Sequence, residues 1–268
     1  MTIEQKYANL KNYLRELGNA AVAFSGGVDS MLLLKTSRDV LGEKAVAVTA
    51  RFCFVPDREI TEATAFCENE GIAQYICAPD ILNVEGLSGN PVNRCYLCKN
   101  EIFSTIWAAA KEHGFTNVIE GSNMDDTGDY RPGLIAVAEQ GVKSPLRYAE
   151  LYKDEIRSLS KGLGLPAWDK PSFSCLACRF PYGEEITPDR LAMIDEAEQF
   201  LLDMGFRQLR VRYHGNLARI ETDADGFTAL ASDGAREKIY AAFKKIGFTY
   251  VALDLLGYRT GSMNETLA

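Results

Sequence analysis

No stretch of this 268-residue chain stays apolar for 18 residues, so the sequence offers no α-helical membrane span. Residues 1–20 lack the apolar core of a secretion signal and form a polar, amphipathic segment instead, so a cytoplasmic protein is expected. Positive charge is also in short supply. Lys and Arg number 29 against 37 Asp and Glu, a formal charge of −8, and that field repels polyanions unless a local basic patch overcomes it. No nucleic-acid partner is therefore expected. With two histidines, His113 and His214, imidazole has little part to play. Internal repeats and low-complexity tracts are missing. The seven cysteines are odd in number in a chain of this size, which argues against a disulfide framework. Cys53, Cys67 and Cys77 lie among apolar residues and are expected in the core. The other four form two Cys-x-x-Cys pairs.

What is present is globular in balance, with room for one large and one small domain. Thr2-x-x-Gln5 reads as a capping box ahead of Ile3, Tyr7, Leu10, Leu14 and Leu17 at helical spacing. Residues 20–24 form a short apolar run, expected as a buried parallel strand. A helix over 28–41 stops at Gly42, and further strands are expected over 45–49, 73–77 and 117–120, with helices over 57–70 and 96–113. This alternation gives an α/β fold, a parallel sheet with helices on both faces. Two more helical stretches follow, then a polar segment around Lys170-Pro171-Ser172 and Arg179-Phe180-Pro181-Tyr182-Gly183, a linker or an active-site loop. Thr187-Pro188-Asp189 opens a helix to about residue 204. Strands over 208–213 and 217–221, a helix near 234–246 and a strand over 248–253 complete a small α+β unit. The domains are expected at 1–180 and 181–268.

Ser25-Gly26-Gly27-Val28-Asp29-Ser30 follows the first strand and opens the next helix. Two glycines allow a sharp turn and close approach to a ligand. Successive N–H groups and the helix N-terminus then form a nest for anions. The Ser25 and Ser30 hydroxyls can donate to phosphate, and Asp29 fits beside one if Mg²⁺ bridges them. The plainer alternative is an ordinary strand-turn-helix of small residues. The turn lacks the Gly-Lys-Ser/Thr of a Walker A loop and the Gly-x-Gly-x-x-Gly of a dinucleotide fingerprint. It resembles the PP-loop of the ATP pyrophosphatases, adenine nucleotide alpha hydrolase-like proteins in which the loop holds the pyrophosphate of ATP while a substrate is adenylated. Gly121-Ser122-Asn123-Met124-Asp125-Asp126 resembles a second element of that superfamily, with Asp125 near the nucleotide; a solvated turn is the alternative.

Further stretches narrow the resemblance: Asn93-Arg94-Cys95-Tyr96-Leu97-Cys98-Lys99, Asp129-Tyr130-Arg131-Pro132-Gly133, Arg179-Phe180-Pro181-Tyr182-Gly183, Arg210-Val211-Arg212-Tyr213-His214, and Leu253-Asp254 with Gly257-Tyr258-Arg259-Thr260-Gly261. As a set they resemble the LarE family, ATP-dependent sulfur transferases that help build the nickel-pincer nucleotide of lactate racemase. The resemblance implies ATP and Mg²⁺ as cofactors, a pyridinium biscarboxylate mononucleotide as small-molecule substrate, and a homo-oligomer. Adenylation of a carboxylate is followed by attack of a cysteine sulfur, which leaves a thiocarboxylate product and dehydroalanine in the enzyme. Cys175 matches that sacrificial cysteine, and Arg179 would favour its thiolate. Where some members have a single cysteine, this chain has Cys175-x-x-Cys178, and it adds Cys95-x-x-Cys98. By resemblance to tRNA-thiolating relatives, three of these four would hold a [4Fe–4S] cluster that carries the sulfide. A Zn²⁺ site and plain structural cysteines are the alternatives.

Arg210 and Arg212 share one face if 208–213 is a strand, and two guanidinium forks suit a nucleotide phosphate. A solvated strand face with cross-strand ion pairs is the alternative. Glu198 and Glu221 are candidates to complete a metal–phosphate site there. The rival functions are a tRNA thiolase, which the negative charge disfavours, an amide-forming ligase, which has no use for the cysteine pairs, and a nucleotide- or iron–sulfur-binding regulator without turnover.

Overall fold

The computed structural model describes residues 1–127 and 132–267. The chain divides into two compact units, Met1–Val84 with Asn93–Ser172, and Glu85–Val92 with Phe173–Ala268.

The first unit runs α1 (Ile3–Leu17), β1 (Ala20–Ala23), α2 (Val28–Leu41), β2 (Ala45–Ala50), α3 (Asp57–Asn69), β3 (Gln74–Cys77), α4 (Arg94–Glu112), β4 (Val118–Ile119), α5 (Gly133–Glu139), α6 (Pro145–Tyr148) and α7 (Lys153–Gly162). The Thr2 side chain accepts from the Gln5 N–H and Gln5 answers the Thr2 N–H, so the capping box forms. The strands pair in parallel in the order β3-β2-β1-β4. Side chains alternate across the sheet. Ala20, Val22 and Ala47 therefore join the cluster built with Leu10, Leu14, Leu32 and Leu33 on one face. Ala21, Val46 and Val48 join Phe103, Ile106 and Val137 on the other. Helices on both faces explain why these strands read as continuous apolar runs.

The second unit holds α8 (Pro188–Asp203), β5 (Leu209–His214), β6 (Leu217–Thr222), α9 (Ala224–Leu230), α10 (Asp233–Ile246) and β7 (Tyr250–Leu253). β5 and β6 form an antiparallel hairpin that turns at Gly215 (φ +65°), and β7 adds parallel to β6. Leu209, Val211 and Tyr213 are buried, with Phe243 and Phe248 part of the same unit's core. Residues 85–92 belong here because Asn90 ties them to the loop before α8. Its amide donates to the carbonyls of Phe180 and Pro181, and its own carbonyl accepts from Gly183 at 2.9 Å.

Among the described residues no helix is long and apolar enough to cross a membrane. Cys67 is buried, and burial pushes its thiol up to about 12. Cys53 corrects the expectation of a core residue: it is exposed, in the turn that follows β2.

Candidate active site

β2 and β3 extend the sheet to one side of β1 and β4 lies on the other. The carboxyl ends of β1 and β4 therefore flank the switch point where open α/β sheets bind ligands. Both motifs emerge there, the Ser25–Ser30 turn from β1 and the Gly121–Asp126 turn from β4. Gly26 takes φ +74°, the left-handed region that a side chain resists. Gly27 is the N-cap of α2, and among the described residues no side chain caps its first-turn N–H groups. The Ser25 and Ser30 hydroxyl oxygens are 3.1 Å apart, and Ser30 also donates to the Gly27 carbonyl. A Cβ on Gly121 would stand 3.0 Å from the Ser30 nitrogen and 3.2 Å from the Asp29 Cβ, so glycine lets the second turn close on the first.

Asp29 is held from two sides. Asn123 Nδ2 donates to its Oδ1 at 3.1 Å, and Lys153 Nζ pairs with its Oδ2 at 2.5 Å. Asp125 accepts from the Lys153 backbone N–H at 2.6 Å and so fixes the start of α7; Asp126 accepts from the Asn123 N–H. Lys153 belongs to no motif read from the sequence. Its position as the first residue of a helix, beside Asp154 and Glu155, was the available signal. The Asp29 and Lys153 side chains keep 22% and 29% of their exposure, so a ligand can reach them. A glycine cradle, two hydroxyls, a cation and a carboxylate fit the phosphates of ATP with Mg²⁺ on Asp29.

In the second unit, Cys175 leads into the 3-10 turn Leu176–Arg179, and the Cys178 N–H donates to the Cys175 carbonyl. The turn brings the two Sγ atoms to 3.6 Å. Arg179 is wholly buried beneath it. Its Nε and Nη2 reach both oxygens of Glu198 at 2.9 Å, and its Nη1 donates to the carbonyls of Ser174 and Cys175. Burial opposes the charge on Glu198, but Arg179 outweighs it and holds the carboxyl below the usual range. Arg212 donates from Nη1 to the Cys178 carbonyl and from Nη2 to Glu221 and Ser262, while its Nε is buried without an acceptor among the described residues. Glu221 also takes Arg219, which bonds in turn to Asp254 and His214. Burial, then Arg219, lowers the His214 pKa.

Arg210 and Arg212 do lie on one face of β5, opposite Glu221 and Arg219 of β6. Both are buried, and the Arg210 guanidinium lies 5.0 Å from the centre of the Tyr258 ring. Glu198 pairs with Arg179, and Glu221 pairs with Arg212 and Arg219. Cys95 and Cys98 sit in the first turns of α4 in the first unit, with Arg94 Nη2 3.8 Å from the Cys95 sulfur. In neither unit do the described residues bring three or more His, Cys, Asp or Glu side chains together to hold a metal. Asp129, Tyr130 and Arg131 lie outside the described residues.

No family model matches the chain. It is 42% identical to an uncharacterized protein of Synechocystis, over 99% of both chains. It is 36% identical to the pyridinium-3,5-bisthiocarboxylic acid mononucleotide synthase of Lactiplantibacillus plantarum, over 99% of this chain and 96% of that one. At 24% identity it also aligns with a glutamine-hydrolyzing GMP synthase component of Archaeoglobus fulgidus, over 75% of this chain and 71% of the relative. Likeness at the 36% level to a synthase along nearly its whole length, with a glycine-rich turn at the sheet's switch point, places this chain in the LarE family.

Proposed function

We propose that the protein is a cytoplasmic, ATP-dependent sulfurtransferase. It adenylates a carboxylate of a pyridinium biscarboxylate mononucleotide, releases pyrophosphate and installs sulfur as a thiocarboxylate. The observation that carries the reading is the full-length kinship with the Lactiplantibacillus synthase, whose name states a bisthiocarboxylate product. Ser25, Gly26, Gly27, Ser30 and Lys153 hold the phosphates, Asp29 holds Mg²⁺, and Asp125 positions Lys153. Bound Mg²⁺ supplies charge neutralisation on the leaving pyrophosphate. Arg210 and Arg212 hold the phosphate of the mononucleotide; the acceptor missing from Arg212 Nε supports this, because a phosphate oxygen would supply it. Cys175 carries the attacking sulfur.

The test is product analysis with ATP and the mononucleotide. AMP, pyrophosphate and a thiocarboxylate are expected in equal amounts; ADP and phosphate, or incorporation of ammonia in place of sulfur, would overturn the assignment. Iron and acid-labile sulfide in anaerobically purified protein would move the sulfur source to a [4Fe–4S] cluster on three of Cys95, Cys98, Cys175 and Cys178. Light scattering reads the expected homo-oligomer.

A further inference from the structure

Lys153 reaches Asp29 from the first residue of α7, and helix ends are where helices fray. That end is held on more than one side. The Lys153 N–H donates to Asp125, and the Met124 N–H donates to the Leu151 carbonyl at 3.0 Å. From within α7, Glu155 turns back to accept the Tyr152 N–H at 2.9 Å, the acidic half of a capping box. Glu155 is gripped in turn by the N-terminal helix. Lys6 Nζ, 149 positions away in sequence, donates to Oε1 at 2.9 Å and to Oε2 at 2.8 Å. The same ammonium lies 4.8 Å from the centre of the Tyr152 ring. Burial opposes the charge on Glu155, but Lys6, followed by the Tyr152 N–H, holds the carboxyl below its usual range.

Lys6 stands where an apolar residue would pack. Residues 6, 10 and 14 lie one above another on α1, and Leu10 and Leu14 are wholly buried. Lys6 itself is 7% exposed. Enclosing its ammonium and fixing its four-carbon stem both cost free energy that a leucine would not lose. An enclosed ion pair returns little net stability over apolar side chains of similar size. Stability alone therefore does not account for a lysine here. What Lys6 does, and a leucine could not, is fix Glu155 and through it the start of α7.

We propose that Lys6 is a positioning residue for Lys153. With Glu155 it clamps the first turn of α7 to α1 and keeps the Lys153 ammonium aimed at the Ser25–Ser30 turn. The proposal rests on the reading of Lys153 as a phosphate ligand. A clamp of this kind acts before any ligand arrives, and its effect falls on the pyrophosphate end of ATP. Ligands that carry a pyrophosphate should sense its loss, and AMP should not.

The test uses the full-length protein with Mg²⁺ and two probes, inorganic pyrophosphate and α,β-methylene-ATP, with AMP as the control. Lys6→Met is expected to weaken both probes about three- to tenfold, part of what losing a charge-assisted contact outright would remove. Lys153→Met should weaken them more. AMP affinity and the urea unfolding midpoint are expected to stay near wild type in Lys6→Met, because the Glu155 side chain is 26% exposed and can hydrate. Glu155→Gln keeps an acceptor for the Tyr152 N–H and removes only the charge that Lys6 grips, and it should give the same split. Without any ligand, the Tyr152 and Lys153 amides should exchange hydrogen at least about tenfold faster in Lys6→Met. Unchanged pyrophosphate affinity in Lys6→Met and Glu155→Gln, beside a loss in Lys153→Met, would overturn the proposal. So would an equal loss for AMP and pyrophosphate, which marks general loosening. Wild-type affinity in Lys153→Met would remove the phosphate reading instead, and amide exchange would still decide whether Lys6 holds the start of α7.

Discussion

The two units use charge in opposite ways. In the first, Asp29 and Lys153 meet beside a glycine turn at the end of a sheet and keep part of their surface open. In the second, Arg179 with Glu198 and Arg212 with Glu221 are almost fully enclosed. An accessible pair can exchange its partner for a ligand at small cost, since exposed ion pairs contribute about 0–1 kcal/mol. An enclosed pair cannot lose one member without leaving an uncompensated charge. The first arrangement suits binding, and the second suits holding a turn and its sulfurs in place. Removing one charge from each unit tests this contrast directly.

Glu198→Ala should have the largest effect. It leaves the Arg179 guanidinium buried without its carboxylate, at a cost of about 3–5 kcal/mol by urea unfolding. Replacing both residues with Met and Leu should recover most of that loss. Acid should do the same as the mutation. The Glu198 carboxyl lies below its ordinary 4.5 in the folded protein, despite burial, because of Arg179. Its stabilisation is thus full above that ordinary value and is lost as pH falls below 4.5 through the folded value. A Glu198→Ala protein as stable as wild type at neutral pH would break the contrast.

Asp29→Ala should invert that pattern. AMP formation is expected to fall at least about a hundredfold, while unfolding free energy changes by under about 1 kcal/mol, because the Lys153 partner left behind reaches water. Equal losses in activity and stability would place Asp29 with the structural charges. Gly26→Ala should be milder in activity and cost about 1–2 kcal/mol in stability. Its φ of +74° strains any side chain, and the new Cβ would meet Ala63 at 3.4 Å.

Much of the first unit was legible because its signals are local. Apolar runs mark the strands, and Gly42, Gly71 and Gly114 mark helix ends; the glycine turn follows β1 directly. Lys153 was hidden because it reaches Asp29 across 124 positions, and no spacing rule records such a contact. In the second unit, period-two alternation placed Arg210 and Arg212 on one face, but it could not show that the face is closed over. Arg212 meets Glu221 from β6 and Ser262 from the last turn, and Arg210 lies over the Tyr258 ring. Their convergence is a product of tertiary packing. The short helix α9 was missed for a similar reason: its seven residues, with Gly226 inside, carry too little periodicity to stand out.

The smallest expected effect sharpens the contrast within the first unit. Lys35 on α2 pairs with Asp39 one turn on at 2.9 Å and with Glu70 at 3.0 Å, all three side chains being partly exposed. Hydrogen bonds to Asp39 and then Glu70 raise the Lys35 pKa above its ordinary 10.5, so the contribution is complete below that value and fades as pH rises through the folded one. Solvent screening keeps it small. Lys35→Met should cost under about 1 kcal/mol in dilute buffer. That cost should vanish near 1 M salt, where the screening length falls to about 3 Å. The Glu198→Ala deficit should persist in the same salt, because enclosed charges are screened much less. A Lys35→Met deficit that salt does not reduce would mean that packing of the four-carbon stem, which methionine replaces only in part, supplies the stability in place of charge.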